Sequence, residues 1–320
     1  MKTSNLMLSM AFIGLVMAAC EKQTTPKPLD IQKVEHKSDA YYAKLRAFKN
    51  SDHQVSFGWF GGSGGEGGTA SMQNRWLGLP DSLDIVSLWG GMPVEGSAQM
   101  EEMRFCQQVK GMKVLRVSFA DDKLIENYSK DDQGIEALAA DIIKDITDNQ
   151  IEGFDIDYEP NVGGGSWTFF RNKSNMTKLL KALSKGLGPK SGTGKILAVD
   201  GEVNYLEAET FEYLDYAIAQ AYASSSPAGL QYRFNQLAGC PPEKFIVTEN
   251  FESYWREGGV SYNDPEMGTI PSLLGMAYWQ PEEGKKAGSG SYHIEYDYAN
   301  ATEPYYYTRR SIQIMNPAKP

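Results

Sequence analysis

The chain has 320 residues, of which 22% are charged and 41% apolar, and a formal net charge of −10. This length can bury a full core. The acidic balance argues against nucleic acid or anionic lipid headgroups as partners. Three Cys and three His (His36, His53, His293) show no ligand spacing, so neither a metal framework nor a cofactor is expected.

The chain opens with one Lys, the apolar stretch LMLSMAFIGLVMAA, and then Cys20 after Met17-Ala18-Ala19. This reads as a signal peptide, and the apolar run is too short and too early for a spanning helix. Ala-Ala-Cys resembles a bacterial lipobox, which implies that residues 1–19 are removed and that Cys20 is lipidated. Loss of Lys2 would take the net charge from −10 to −11. The expectation is a lipoprotein of the bacterial cell envelope, anchored at the outer membrane on its surface or its periplasmic face. Residues 20–50 are polar and Lys-rich, with Thr-Pro-Lys-Pro at 25–28. They read as a tether ending in a short helix near Tyr41–Phe48.

Residues 51–320, about 270 in number, match the usual size of a (β/α)8 barrel. Eight strand candidates follow in order: QVSFGWFG (54–61), LDIVSLWG (83–90), MKVLRVSFA (112–120), IEGFDIDYE (151–159), KILAVDGE (195–202), LDYAIAQAYA (214–223), KFIVTENF (244–251) and LLGMAYWQ (273–280). GIEALAADIIKDITDNQ (134–150) and NMTKLLKALSKGLG (175–188), lying between them, carry helical periodicity. Strands alternating with helices predict a parallel sheet, and eight of them predict a closed TIM barrel in a single domain, expected to be monomeric. Cys106 and Cys240 are either two buried thiols or one disulfide.

In such barrels the chemistry sits where strands end and βα loops begin. Gly62-x-Gly64-x-x-Gly67 follows the first strand as a dinucleotide fingerprint would, but no helix opens on it and no acid ends the next strand. It reads as a flexible loop over the barrel mouth.

The fourth strand is different. Asp155, Asp157 and Glu159 alternate with Phe154, Ile156 and Tyr158, so one face is apolar and the other is made only of acids. A barrel strand is buried on both sides, and carboxylates about 7 Å apart repel one another where water is scarce. Crowding of this kind pushes pKa values apart and can keep one acid protonated near neutrality. Glu159, the last and longest, should reach a substrate at the mouth. Asp157 should stay anionic or share a proton with Asp155 below it.

GFDIDYE resembles the D-x-x-D-x-D-x-E signature of family 18 glycoside hydrolases, with Glu152 in place of the first Asp. The family's Ser-x-Gly-Gly is represented only by Ser118-Phe-Ala120-Asp121. Gln220-Ala-Tyr222, whose polar side chains share one face, is similar to the Gln-x-Tyr of the endo-β-N-acetylglucosaminidase branch. Trp279 is similar to the Trp that floors the family's central subsite.

The resemblance implies a retaining, substrate-assisted glycosidase acting on the β-1,4 bond in the di-N-acetylchitobiose core of N-linked glycans. Glu159 would be the general acid and base. Asp157 would support the 2-acetamido nucleophile, with Asp155 beneath it. Tyr222 would donate to the acetamido oxygen, Gln220 would help position the sugar, and Trp279 would stack on it. A chitinase, disfavoured by Gln220, and a non-catalytic surface glycan-binding lipoprotein, disfavoured by Glu159, are the alternatives. Trp59, Trp89 and Trp167 also fall at strand ends or in the loops that follow.

Overall fold

The computed structural model describes residues 36–162 and 166–318. Cys20, the signal peptide and most of the tether lie outside these residues. Helix α1 (Asp39–Lys49) forms where the short helix was expected and is capped by Ser38, whose side chain accepts from the Tyr41 N–H. It does not hang free. Arg46 donates to the Val109 carbonyl at 2.6 Å, Lys49 to the Leu83 carbonyl at 2.5 Å, and the Tyr41 hydroxyl to Asp81 at 2.9 Å. Part of the expected tether is therefore packed against the loops that precede β2 and β3, the strands defined next.

The strands are β1 (Val55–Trp59), β2 (Ile85–Ser87), β3 (Lys113–Phe119), β4 (Gly153–Tyr158), β5 (Ile196–Gly201), β6 (Tyr216–Ala219), β7 (Phe245–Asn250), β8 (Ser261–Asp264), β9 (Gly268–Pro271) and β10 (Gly288–Tyr292). Eight of them close a parallel barrel in the order β1-β10-β7-β6-β5-β4-β3-β2, and β8 with β9 forms a separate antiparallel hairpin. The outer layer includes α2 (Ala98–Gln108), α3 (Asp132–Asp148), α4 (Lys173–Leu183), α5 (Pro227–Asn235), α6 (Ser272–Tyr278) and α7 (Tyr306–Met315). Four of these helices start where a side chain accepts a first-turn amide: Ser97, Asp131, Asn172 and Ser226. Each such cap stabilises its helix by about 1 kcal/mol.

Strand parity sorts the core into two layers. Phe57, Trp59, Ile85, Leu115, Ala198, Ile218 and Ile246 fill the barrel interior. Phe154, Ile156 and Tyr158 face the other way and join the larger cluster beneath the helices. The acids of β4 therefore share the interior with the first group.

Seven of the eight expected strands form, each within a few residues of its expected span. The eighth does not: Ser272–Tyr278 is helix α6, and the last barrel strand is β10, GSGSY. Its small residues are forced by its neighbour. A Cβ at Gly288 or Gly290 would collide with the carbonyl oxygens of Val55 and Phe57 on β1. The close approach of the β1 backbone leaves no room for side chains at Gly288 and Gly290, which removes the apolar pattern that marks a strand.

Trp279 consequently ends a helix and is not part of the barrel wall. It is buried against Phe245, with ring centroids 6.3 Å apart, and its carbonyl accepts from the buried Lys286 ammonium at 2.6 Å. Cys106 and Cys240 are both free, buried thiols. The Gly-rich loop is pinned rather than loose. Gln99 donates to the Gly62 carbonyl at 2.6 Å, Trp76 to the Ser63 carbonyl at 3.1 Å, and the Val94 amide to the Gly65 carbonyl at 3.0 Å.

Candidate active site

β4 ends at the barrel mouth, and its inward positions hold Asp155, Asp157 and, just past the strand, Glu159. Glu152 has the opposite parity. It accepts from Gln107 and from the Val114 amide, each at 2.8 Å, and so fastens the start of β4 to α2 and β3. Its role is structural, which accounts for the tolerance of Glu where the family has Asp.

The acids are arranged in depth. Asp155 is fully buried, and its Oδ2 accepts from Trp59 Nε1 at 3.0 Å and from Ser87 Oγ at 2.8 Å. Burial raises its pKa, while the bonds from Ser87, Asp200 and Trp59 oppose the rise. Asp157 is 2% exposed. Burial raises its pKa first, and the charges of Glu159 and Asp155 add to the effect. Glu159, half-buried, is raised by burial and by the charge of Glu202, against a lowering hydrogen bond from Gln220.

Asp155 has a second acidic neighbour besides Asp157. Asp200, on β5, is the direct register partner of Asp157 and is fully buried. It is hydrogen-bonded to Asp155. Its Oδ1 also accepts from Gln220 Nε2 at 3.0 Å. Gln220 therefore touches both Asp200 and Glu159.

Above the acids lies a cavity of about 220 Å³, below the roughly 300–1,000 Å³ of pockets for drug-sized ligands and suited to one sugar ring. Asp157, Glu159, Gln220 and Tyr222 supply its polar wall, and Trp59, Trp89, Phe119 and Tyr292 its aromatic wall. Tyr222 stacks on Tyr292 at 29° with centroids 6.3 Å apart. Burial, followed by the charges of Asp200 and Asp157, raises the Tyr222 pKa well above its ordinary value, so its hydroxyl is a donor throughout the neutral range. The only carboxyl groups among the described residues lining this cavity are Asp157 and Glu159, both from β4.

The family model described as "Glycoside hydrolase family 18, BT1044-like" matches residues 20–314. The chain belongs to glycoside hydrolase family 18. It is 29% identical to endo-beta-N-acetylglucosaminidase F2 of Elizabethkingia meningoseptica, over 99% of this chain and all of that protein. A solved structure of BT1044 is 29% identical and superimposes with a TM-score of 0.75, covering 92% of this chain and 98% of that one. The endo-beta-N-acetylglucosaminidase of Cordyceps militaris, in complex with fucosyl-N-acetylglucosamine-Asn, is 26% identical with a TM-score of 0.68, covering 91% and 99%. This protein is a glycoside hydrolase.

Asp157, Glu159, Gln220 and Tyr222 meet in one cavity, as the strand parities require, and Asp155, fully buried on the same face of β4, does not line it. Trp279 does not join them. Its place in the wall is taken by Tyr292 at the end of β10, which went unseen with its strand. Of the other tryptophans, Trp59 and Trp89 line the cavity, while Trp167 packs edge-on to Phe119 and Tyr158. Asp200 was also missed. The signal was present: an acid inside the otherwise apolar run ILAVDG, with inward parity.

Proposed function

We propose that this enzyme hydrolyses the β-1,4 bond between the two core N-acetylglucosamines of N-linked glycans, with retention and with the substrate as its own nucleophile. The supporting observation is the one-sided cavity. A two-carboxylate retaining glycosidase needs carboxyl groups about 5–5.5 Å apart on opposite sides of the bond. Here both carboxyl groups, Asp157 and Glu159, come from β4 and the residue just past it, and the rest of the lining, Gln220, Tyr222 and the aromatic wall, supplies no further carboxyl. The substrate-assisted route needs only one proton donor and a grip on the acetamido group.

Glu159 gives its proton to the glycosidic oxygen as the C1–O bond breaks, and the acetamido carbonyl oxygen bonds to C1. Asp157 accepts the acetamido N–H and balances the positive charge of the oxazolinium. Asp155, held by Trp59 and Ser87, lies beneath it. Tyr222 donates to the acetamido oxygen and fixes its approach, which turns a bimolecular attack into a unimolecular one. Gln220 positions Glu159 and the sugar. Glu159, now a base, takes a proton from water as water attacks C1, and the acetamido group is restored.

The N-glycan core as substrate is supported by the names of the relatives. The ligand of the Cordyceps enzyme, one fucosylated N-acetylglucosamine on asparagine, is what cleavage inside the core leaves behind. The Ala-Ala-Cys20 sequence supports anchoring of this activity by lipid at a bacterial envelope. Incubation with an N-glycoprotein and, separately, with chitin oligomers, followed by mass measurement of the products, tests the reading. Glycan released one N-acetylglucosamine short, with the stump left on protein, is expected. Cleavage of chitin oligomers alone would make the enzyme a chitinase, and binding without cleavage would make it a lectin.

A further inference from the structure

Asp155, Asp157 and Asp200 are each no more than 2% exposed, and no cation among the described residues acts on any of them. Three buried carboxyls without a counter-charge cannot all be ionised. The hydrogen bonds show where a proton must sit. Both donors to Asp155, Trp59 and Ser87, end on its Oδ2, and Gln220 ends on Oδ1 of Asp200. Oδ1 of Asp155, Oδ1 of Asp157 and Oδ2 of Asp200 are buried and receive no donor from any other described residue. Asp155 and Asp200 are a hydrogen-bonded pair of acids, and two carboxyl groups can bond to one another only if a proton lies between them.

We propose that Asp200 is a positioning residue of this active site: a carboxyl that keeps its proton, donates it to Asp155, and with its other oxygen holds the Gln220 amide against Glu159. The inference rests on the glycosidase reading only for its kinetic consequences. The groups facing Asp200 are Asp155 and Asp157 from β4, and Gln220 and Tyr222 from the segment just past β6. None is cationic, so only the Gln220 hydrogen bond favours an ionised Asp200, against burial and two neighbouring acids. Gln220 has two N–H donors on one nitrogen. One is committed to Asp200 at 3.0 Å, and the other serves Glu159. Without Asp200 the amide is free to turn, and the acid loses a hydrogen bond that sets both its direction and its readiness to ionise.

Two variants separate a neutral donor from a charged one. In Asp200→Asn the side-chain N–H takes the place of the proton toward Asp155, and the oxygen still accepts from Gln220. In Asp200→Ala both are lost. With an N-glycoprotein as substrate, the Asn variant should keep kcat within a few-fold of wild type. The Ala variant should lose about 100-fold in kcat, the scale of a displaced catalytic group, with KM little changed. Equal losses in both variants would overturn the proposal, because they would mean that a negative charge is needed at this position.

The second readout uses no substrate and stands even if the Ala variant fails to fold or the enzyme acts on another sugar. A carboxyl that keeps its proton in the folded chain above the pH at which the unfolded chain releases it costs stability as pH rises. The Tm of wild type should therefore fall below that of Asp200→Asn progressively between about pH 4 and pH 8. A difference that stays constant over that range, or that favours wild type at the upper end, would overturn the proposal. Absence of turnover on every N-glycan tried, with the Tm trend intact, would count against the substrate reading and leave Asp200 as assigned.

Discussion

Asp157 and Asp200 face one another as direct register partners across the β4–β5 pair, both buried, and neither has a cation within reach. The fold thus carries an unfavourable electrostatic arrangement at its centre. Burial and the neighbouring acids raise the Asp157 pKa, so the folded chain binds a proton there that the unfolded chain has released at the same pH. That contribution to stability is complete at low pH and is lost as pH rises through the raised value. Asp157→Asn should therefore increase Tm near pH 8 by roughly 2–4 °C, with the gain vanishing near pH 4, while kcat falls sharply. Thermal melts at the two pH values check this trade of stability against activity.

Glu159→Gln removes the proton donor but keeps its shape. Turnover should fall by about 10²–10⁴-fold, while glycan binding, read by calorimetry, is retained. Full activity in this variant would remove Glu159 as the acid.

The alkaline limb of the pH–rate profile should follow Glu159, since an acid fails once it is ionised. Glu202 raises the Glu159 pKa through its charge, and Gln220 lowers it by hydrogen bonding. Glu202→Gln should accordingly move the alkaline limb to lower pH. The glutamine oxygen can still accept from the Asn161 and Val162 amides, which Glu202 holds at 2.6 and 3.3 Å, so the loop should keep its place. An unmoved limb would show that another group sets it.

Tyr292, and not Trp279, stands in the cavity wall where the sequence suggested Trp279. Trp279→Phe should lower Tm through lost packing against Phe245 and leave KM unchanged. Tyr292→Ala should raise KM, because it removes the ring that stacks on Tyr222 in the cavity wall. A KM defect in the Trp279 variant would return that residue to the site.

Gly290 tests the reading of β10. A Cβ there would collide with the Phe57 carbonyl oxygen, which is backbone and cannot give way. Gly290→Ala should destabilise the chain by about 1–3 kcal/mol, the usual cost of overpacking, measurable by urea melts. A neutral outcome would mean that the β1–β10 pair has slack.

The residues most legible in the sequence were those whose chemistry and strand period coincide. Asp155, Asp157 and Glu159 announce a buried polar face because alternation leaves no other place for them, and Gln220 with Tyr222 follow by the same parity. The eighth strand failed for the converse reason. GSGSY has no apolar residue before Tyr292, since the β1 carbonyls of Val55 and Phe57 crowd Gly288 and Gly290, whereas SLLGMAY carries the apolar run expected of a strand but lies outside the barrel as a helix. Asp200 was overlooked because a single acid in a strand has no pattern of its own. Its meaning lies in register with β4, which only the closed barrel displays.

The proposed mechanism depends on a sugar that supplies its own nucleophile. The direct measurement is the turnover of a chitobiose-core substrate against an analogue in which the reacting sugar carries a 2-hydroxyl instead of a 2-acetamido group. Loss of measurable hydrolysis on the 2-hydroxyl analogue, with Glu159 intact, is predicted. Comparable rates on both would contradict substrate assistance and require a nucleophile from the protein.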